Sequence, residues 1–108
     1  MLAAVYHGPE DIRVETVPRP EIGPDEVLIK VLNANICGTD LRIYKGGHRH
    51  YPPGAVRIPG HEVVGEIAEM GDQVVGYAVG QRVFVAPNMG YGRNRATISG
   101  NNNMDPDF

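Results

Sequence analysis

Apolar and polar residues alternate in short runs along this chain, and the runs are punctuated by Gly and Pro. Met1 to Tyr6 is a brief apolar run closed by Gly8-Pro9 and reads as a strand. Ile12 to Val17 alternates apolar and polar residues, the period of a half-buried strand. Pro18, Pro20, Gly23 and Pro24 then impose a turn-rich connection. Glu26 to Ile36 is the longest strand-like run. Its middle is apolar on both sides, which predicts a central strand. A short helix is predicted from Thr39 to Tyr44, with Thr39 or Asp40 as its cap and Gly46-Gly47 as its stop. His48 to Pro59 reads as loop. His61 to Glu69 and Gln81 to Ala86 read as two further strands, the last ended by Pro87. From Asn88 onward apolar periodicity fades into Gly, Asn, Arg and Ser, so residues 88–108 read as a loop tail or a segment ordered by a missing partner.

Several short strands joined by Gly/Pro turns predict a mainly β domain, a small barrel or sandwich. Composition agrees. Gly 14 and Pro 9 in 108 residues favour turns over long helices. The hydrophobic share of 42% allows a modest core in one domain. The net charge of −3, with no basic run, gives no footprint for nucleic acid. A single cysteine excludes an intrachain disulfide. No segment reads as a signal peptide or a bilayer span, and the expected location is cytoplasmic.

Candidate chemistry lies in two places. Cys37-Gly38-Thr39-Asp40 holds the only cysteine, and Gly60-His61-Glu62-Val63-Val64-Gly65 sets an imidazole beside a carboxylate. A thiolate, an imidazole and a carboxylate form a credible three-ligand set for a catalytic zinc with one position open. Each residue alone has a plainer reading. Cys37 reads as a small buried hydrophobe, His61 as a loop histidine, Glu62 as a solvated charge, and Thr39 or Asp40 as a helix cap. His7, His48 and His50 read as surface residues, although His48 and His50 could line a substrate entrance.

These two motifs together resemble the zinc-dependent medium-chain dehydrogenases, which include alcohol, sorbitol and threonine dehydrogenases. Gly60, His61, Glu62, Gly65, Gly71 and Val74 match the family pattern at every position. Val79 to Val83, Ala86-Pro87-Asn88 and the opening Tyr6-His7-Gly8-Pro9 extend the likeness over nearly the whole chain. The resemblance implies a GroES-like β-barrel over residues 1–87, the family's N-terminal catalytic domain. It implies Cys37 and His61 as zinc ligands, with Glu62 as the third ligand or one that exchanges with water. Thr39 would take the alcohol proton, and Asp40 would fix the His61 tautomer through its far nitrogen. Where the family often places a relay histidine, this chain has Arg42. Arginine is a poor proton acceptor, so the relay would run through water, or Arg42 would serve the phosphates of NAD(P) or a polar substrate.

Two departures qualify the likeness. The family's structural-zinc lobe carries four cysteines, but here the corresponding positions hold Tyr91, Asn94, Thr97 and Asp105. Residues 88–108 therefore read as a degenerate lobe, and a structural zinc is not expected. No Gly-x-Gly-x-x-Gly turn of a nucleotide-binding unit follows, and the family's further downstream metal ligand falls outside these residues. The implied whole is an NAD(P)-dependent zinc dehydrogenase of polyols or other secondary alcohols. This chain would be its N-terminal part, inactive alone, partnered by a missing nucleotide-binding domain and prone to self-association. The alternative is a free-standing GroES-like binding or assembly module without catalysis. A zinc-free reductase relative is a third reading, to which the retained Cys37, Asp40, His61 and Glu62 are ill suited.

Overall fold

The computed structural model describes residues 1–88, 90 and 94–101. The chain opens with a hairpin: β1 (Leu2–Gly8) pairs antiparallel with β2 (Asp11–Thr16) from Leu2↔Thr16 to Gly8↔Asp11. The second sheet joins β3 (Val27–Ala34), β4 (Val63–Met70) and β5 (Arg82–Phe84), antiparallel in the order β3-β4-β5. Between β3 and β4 lie helix α1 (Gly38–Tyr44) and a long loop. A further short helix, α2 (Arg95–Ile98), follows β5. The fold is mainly β, as expected. Among the described residues, strand pairing yields two sheets rather than one closed ring.

The loop after α1 is tied back to the first sheet. Tyr6 and Arg57 exchange both backbone hydrogen bonds, at 2.8 and 3.1 Å. Tyr6 is buried, and the Tyr51 ring meets it edge-on with centroids 5.3 Å apart. Val5, Tyr6, Ile43 and Ile67 form the buried core among the described residues. Ile43 is the one buried residue of α1.

Three expectations are corrected. β3 is an edge strand and β4 the central one. Apolar residues on both faces of β3 suggested burial, yet Val31 and Leu32 remain 56% and 42% exposed. The ladder is also irregular between Val31 and Asn33. The cap of α1 is Cys37, not Thr39 or Asp40. And the tail contains α2, whose cap is Asn94. The side-chain oxygen of Asn94 accepts the Thr97 N–H at 3.1 Å, while the Thr97 hydroxyl donates to the Asn94 carbonyl at 3.1 Å. Two of the four positions where the family pattern has cysteines thus hydrogen-bond to each other. The other two, Tyr91 and Asp105, lie outside the described residues.

Large apolar side chains are exposed at positions spread from Met1 to Ile98. Ile36 is 87% exposed and Phe84 67%. Isolated exposed apolar residues are ordinary, but Val31, Leu32 and Phe84 belong to one sheet.

Candidate metal centre

The end of β3 and the start of α1 place Cys37, and the entry to β4 places His61 and Glu62. Asn35 N–H donates to the Glu62 carbonyl at 3.0 Å, which clamps the two segments together. Val85 N–H donates to the Val63 carbonyl at 3.0 Å on the other side. Gly60 has φ +114°, a backbone conformation that L side chains rarely adopt. It turns the chain so that the next residue, His61, faces Cys37. The strand does not include His61 or Glu62; it begins at Val63, so both ligand candidates sit on its approach.

The three candidate ligands converge. Donor atoms of Cys37, His61 and Glu62 all lie within 4.8 Å of one another, and each residue is half-buried. Cys37 Sγ is 3.0 Å from His61 Nε2. A soft thiolate beside an imidazole and a carboxylate is a donor set suited to zinc. No other such group of three occurs among the described residues.

Asp40 stands behind this set. Its Oδ2 accepts the Cys37 N–H at 2.9 Å, and Cys37 Sγ accepts the Thr39 N–H at 3.3 Å. The pair is a capping box in which sulfur takes the usual place of a hydroxyl. Its other oxygen, Oδ1, is buried and makes no hydrogen bond among the described residues. That oxygen lies 3.8 Å from His61 Nδ1, beyond hydrogen-bond range. A buried carboxylate oxygen without a partner is costly. One small ring movement of His61 would satisfy it and aim Nε2 at a metal. The donor set and this waiting oxygen both fit zinc.

A cleft of about 310 Å³ opens beside the centre. Thr39, Ile43, His48, His50, Tyr51 and His61 are among its lining residues. His48 and His50, expected on the surface with a cleft entrance as the alternative, therefore lie at a cleft. Burial, and after it the neighbouring His50, Arg42, Arg49 and His61, holds the His48 imidazole below its usual pKa. Burial pushes the Tyr51 phenol up, opposed by Arg57 and reinforced by Asp40. Arg42 points elsewhere along the loop: its Nε donates to the Gly47 carbonyl at 2.9 Å. His7 is paired with Glu15 at 2.6 Å, away from these residues in the chain's first hairpin.

Known proteins bear on what such a centre belongs to. Residues 23–108 match the alcohol dehydrogenase GroES-like domain. The chain belongs to that family. It is 45% identical over 108 residues to sorbitol dehydrogenase of Bacillus subtilis (strain 168), covering 99% of this chain and 31% of that protein. It is 44% identical over 98 residues to L-threonine 3-dehydrogenase of Xanthomonas campestris pv. campestris (strain B100), covering 88% and 28%. A cobalt- and zinc-bound thermostable alcohol dehydrogenase from Pyrobaculum aerophilum superposes with a TM-score of 0.86 at 30% identity, covering 98% of this chain and 32% of that one. The GroES-like chain thus spans less than a third of the length of these two curated relatives.

Replacing Asp40 tests the geometry of the centre. Asp40→Asn keeps an oxygen for the Cys37 N–H but removes the charge facing His61. Zinc affinity of the full-length protein should fall roughly 10- to 100-fold, the usual cost of losing an outer partner of a metal-bound histidine. Chelator competition measures it. An unchanged affinity would show that Asp40 serves only the helix cap.

Proposed function

We infer that this chain is the N-terminal catalytic domain of a zinc-dependent, NAD(P)-linked dehydrogenase that oxidises a polyol or another secondary alcohol. The convergence of Cys37, His61 and Glu62, with Asp40 Oδ1 buried behind His61, carries the reading. The family membership and the sorbitol and threonine dehydrogenase relatives support it.

Cys37 and His61 would hold the metal, with Glu62 as third ligand or as one that exchanges with water. Bound there, zinc would supply Lewis acidity toward the alcohol oxygen. With the ring moved toward Asp40 Oδ1, now 3.8 Å from Nδ1, Asp40 would orient His61 and select its tautomer. Thr39, on the cleft wall with its N–H held by Cys37, offers a hydroxyl that takes the alcohol proton and passes it on to solvent. Arg42 supplies a permanent cation for the cofactor's phosphates or for a polar substrate. Hydride acceptance and cofactor binding fall to a nucleotide-binding domain beyond these residues, and the exposed apolar side chains of β3 and β5 suit its docking.

The full-length protein should reduce NAD or NADP in the presence of a polyol, followed by the absorbance of the reduced cofactor. Residues 1–108 alone should give no turnover. A full-length protein that binds zinc yet oxidises no alcohol from a panel of polyols and secondary alcohols would sink the reading.

A further inference from the structure

The two halves of the metal centre share a direct backbone tie, the Asn35 N–H on the Glu62 carbonyl. A single hydrogen bond is a pivot and leaves the angle between two segments open. Two further ties run through β1 and the turn that follows it. Tyr6 exchanges both backbone hydrogen bonds with Arg57, in the loop that leads to Gly60 and His61. Just past the end of the same strand, the Glu10 N–H donates to the carbonyl of Tyr44, the last residue of α1, at 2.7 Å. One short stretch of chain therefore holds the approach to His61 and the helix that begins at Cys37.

The tie to Tyr44 completes the helix end. An α-helix leaves its last carbonyls without intrahelical donors. In α1 the Leu41 and Ile43 carbonyls accept from Lys45, and the Arg42 carbonyl accepts from Gly47, all in the chain just past the helix. The Tyr44 carbonyl instead accepts from Glu10, across the fold. Glu10 has φ +61° and is the one non-glycine residue with positive φ among the described residues. Such strain persists where the surrounding structure holds it in place. Beside it, Gly46 lies against Pro9 so closely that a Cβ would stand 2.6 Å from Pro9 Cγ. Helix α1 has seven residues, so it is only about 10 Å long. With Ile43 as its one buried residue, a hold on Tyr44 also sets where its cap, Cys37, lies.

We propose that β1 and its turn are the frame of the metal centre, with Tyr6 and Glu10 as positioning residues. Through their backbones they set the loop that enters His61 on one side and α1, hence Cys37, on the other. The proposal rests on the metal reading of Cys37, His61 and Glu62, and adds the element that sets their spacing.

Cobalt(II) loaded into the full-length protein tests it. A thiolate ligand gives cobalt a charge-transfer band that follows the metal–sulfur geometry, and chelator competition gives the affinity. Gly46→Ala drives a methyl into the Pro9 ring. Its cobalt affinity should fall about tenfold, the lower end of the cost of losing an outer support of a metal ligand, and the band should change. Adding Pro9→Gly removes the obstructing ring atoms and should restore both, although alanine at φ +77° stays strained. Arg57→Pro deletes the N–H that meets the Tyr6 carbonyl and should act like Gly46→Ala. Arg57→Leu keeps that N–H and should change neither readout. Gly71→Ala, with its clash at the far end of β4, should lower stability and leave the band as it is, which separates positioning from general weakening. An unchanged band and affinity in Gly46→Ala and Arg57→Pro, a loss that Pro9→Gly does not restore, or an equal change in Gly71→Ala would each overturn the proposal. Should Gly46→Ala not fold, the two Arg57 variants decide alone. A wild-type protein without any thiolate band would sink the metal reading and the frame with it, whereas a wild-type band shared by all variants would sink the frame only.

Discussion

Cys37→Ser in the full-length protein should lose zinc while keeping its fold. The two roles of Cys37 make this substitution discriminating. Its sulfur caps α1 by accepting the Thr39 N–H, and it stands 3.0 Å from His61 Nε2 as a candidate ligand. Serine is among the best helix caps, so the cap survives. A neutral hydroxyl is a poor replacement for a thiolate on zinc, so the metal does not. Zinc affinity should drop by more than about 100-fold, beyond the cost of losing an outer partner. Thermal stability of the zinc-free protein should change by less than about 1 kcal/mol, within the range of a conserved cap. Cys37→Ala should lose both, adding about 0.5–2 kcal/mol of destabilisation. Metal analysis after purification and thermal denaturation of the stripped proteins supply the readouts. Normal zinc content in Cys37→Ser would reduce Cys37 to a helix cap.

The strands were legible because alternation is a local signal. Ile12 to Val17 and His61 to Glu69 repeat with period two, and β2 and β4 formed there within two residues. Sheet order was not legible. The apolar run of β3 predicted a central strand, but which strand lies between two others depends on contacts distant in sequence. Among the described residues β3 pairs only with β4, and Val31 and Leu32 stay exposed. The helix cap was misplaced for a chemical reason. Cysteine is not among the residues expected at a cap, so Thr39 and Asp40 are the expected ones, although Asp40 does reach back to the Cys37 N–H. The meeting of Cys37 with His61 and Glu62 came from the family resemblance, because 24 residues separate the sulfur from the imidazole and no local period connects them. The place of His48 and His50 on the cleft wall is not a local signal either. The loop that carries them is positioned by the Tyr6–Arg57 bridge, which no periodicity announces.

Gly71→Ala should be among the most destabilising single-methyl additions to this chain, although Gly71 touches no candidate ligand. Gly60, Gly65 and Gly71 belong to the same pattern as His61 and Glu62. Gly60 turns the backbone into His61. Gly71 does something else: it follows β4 where the chain meets the Gly23–Glu26 turn, donating its N–H to the Glu26 carbonyl at 2.9 Å. Gln73 N–H reaches the Pro24 carbonyl at 2.8 Å just beyond. A Cβ on Gly71 would overlap the carbonyl oxygens of Pro24 and Gly23, which are backbone atoms that no rotamer change can move aside. Relief requires parting the turn from the strand end and breaking those bonds. The cost should reach about 3 kcal/mol, the upper part of the usual overpacking range. For a domain near this size that lowers the melting midpoint by more than about 10 °C. Gly8→Ala is the control, since a Cβ there meets nothing within 4 Å and its φ is not in the left-handed region. It should be neutral or gain up to about 1 kcal/mol through the unfolded state. Thermal melts of the two variants separate the cases, and equal midpoints would refute the close-approach role of Gly71. The zinc motif thus combines two demands: His61 and Glu62 for a metal, and glycines that let the backbone deliver them there.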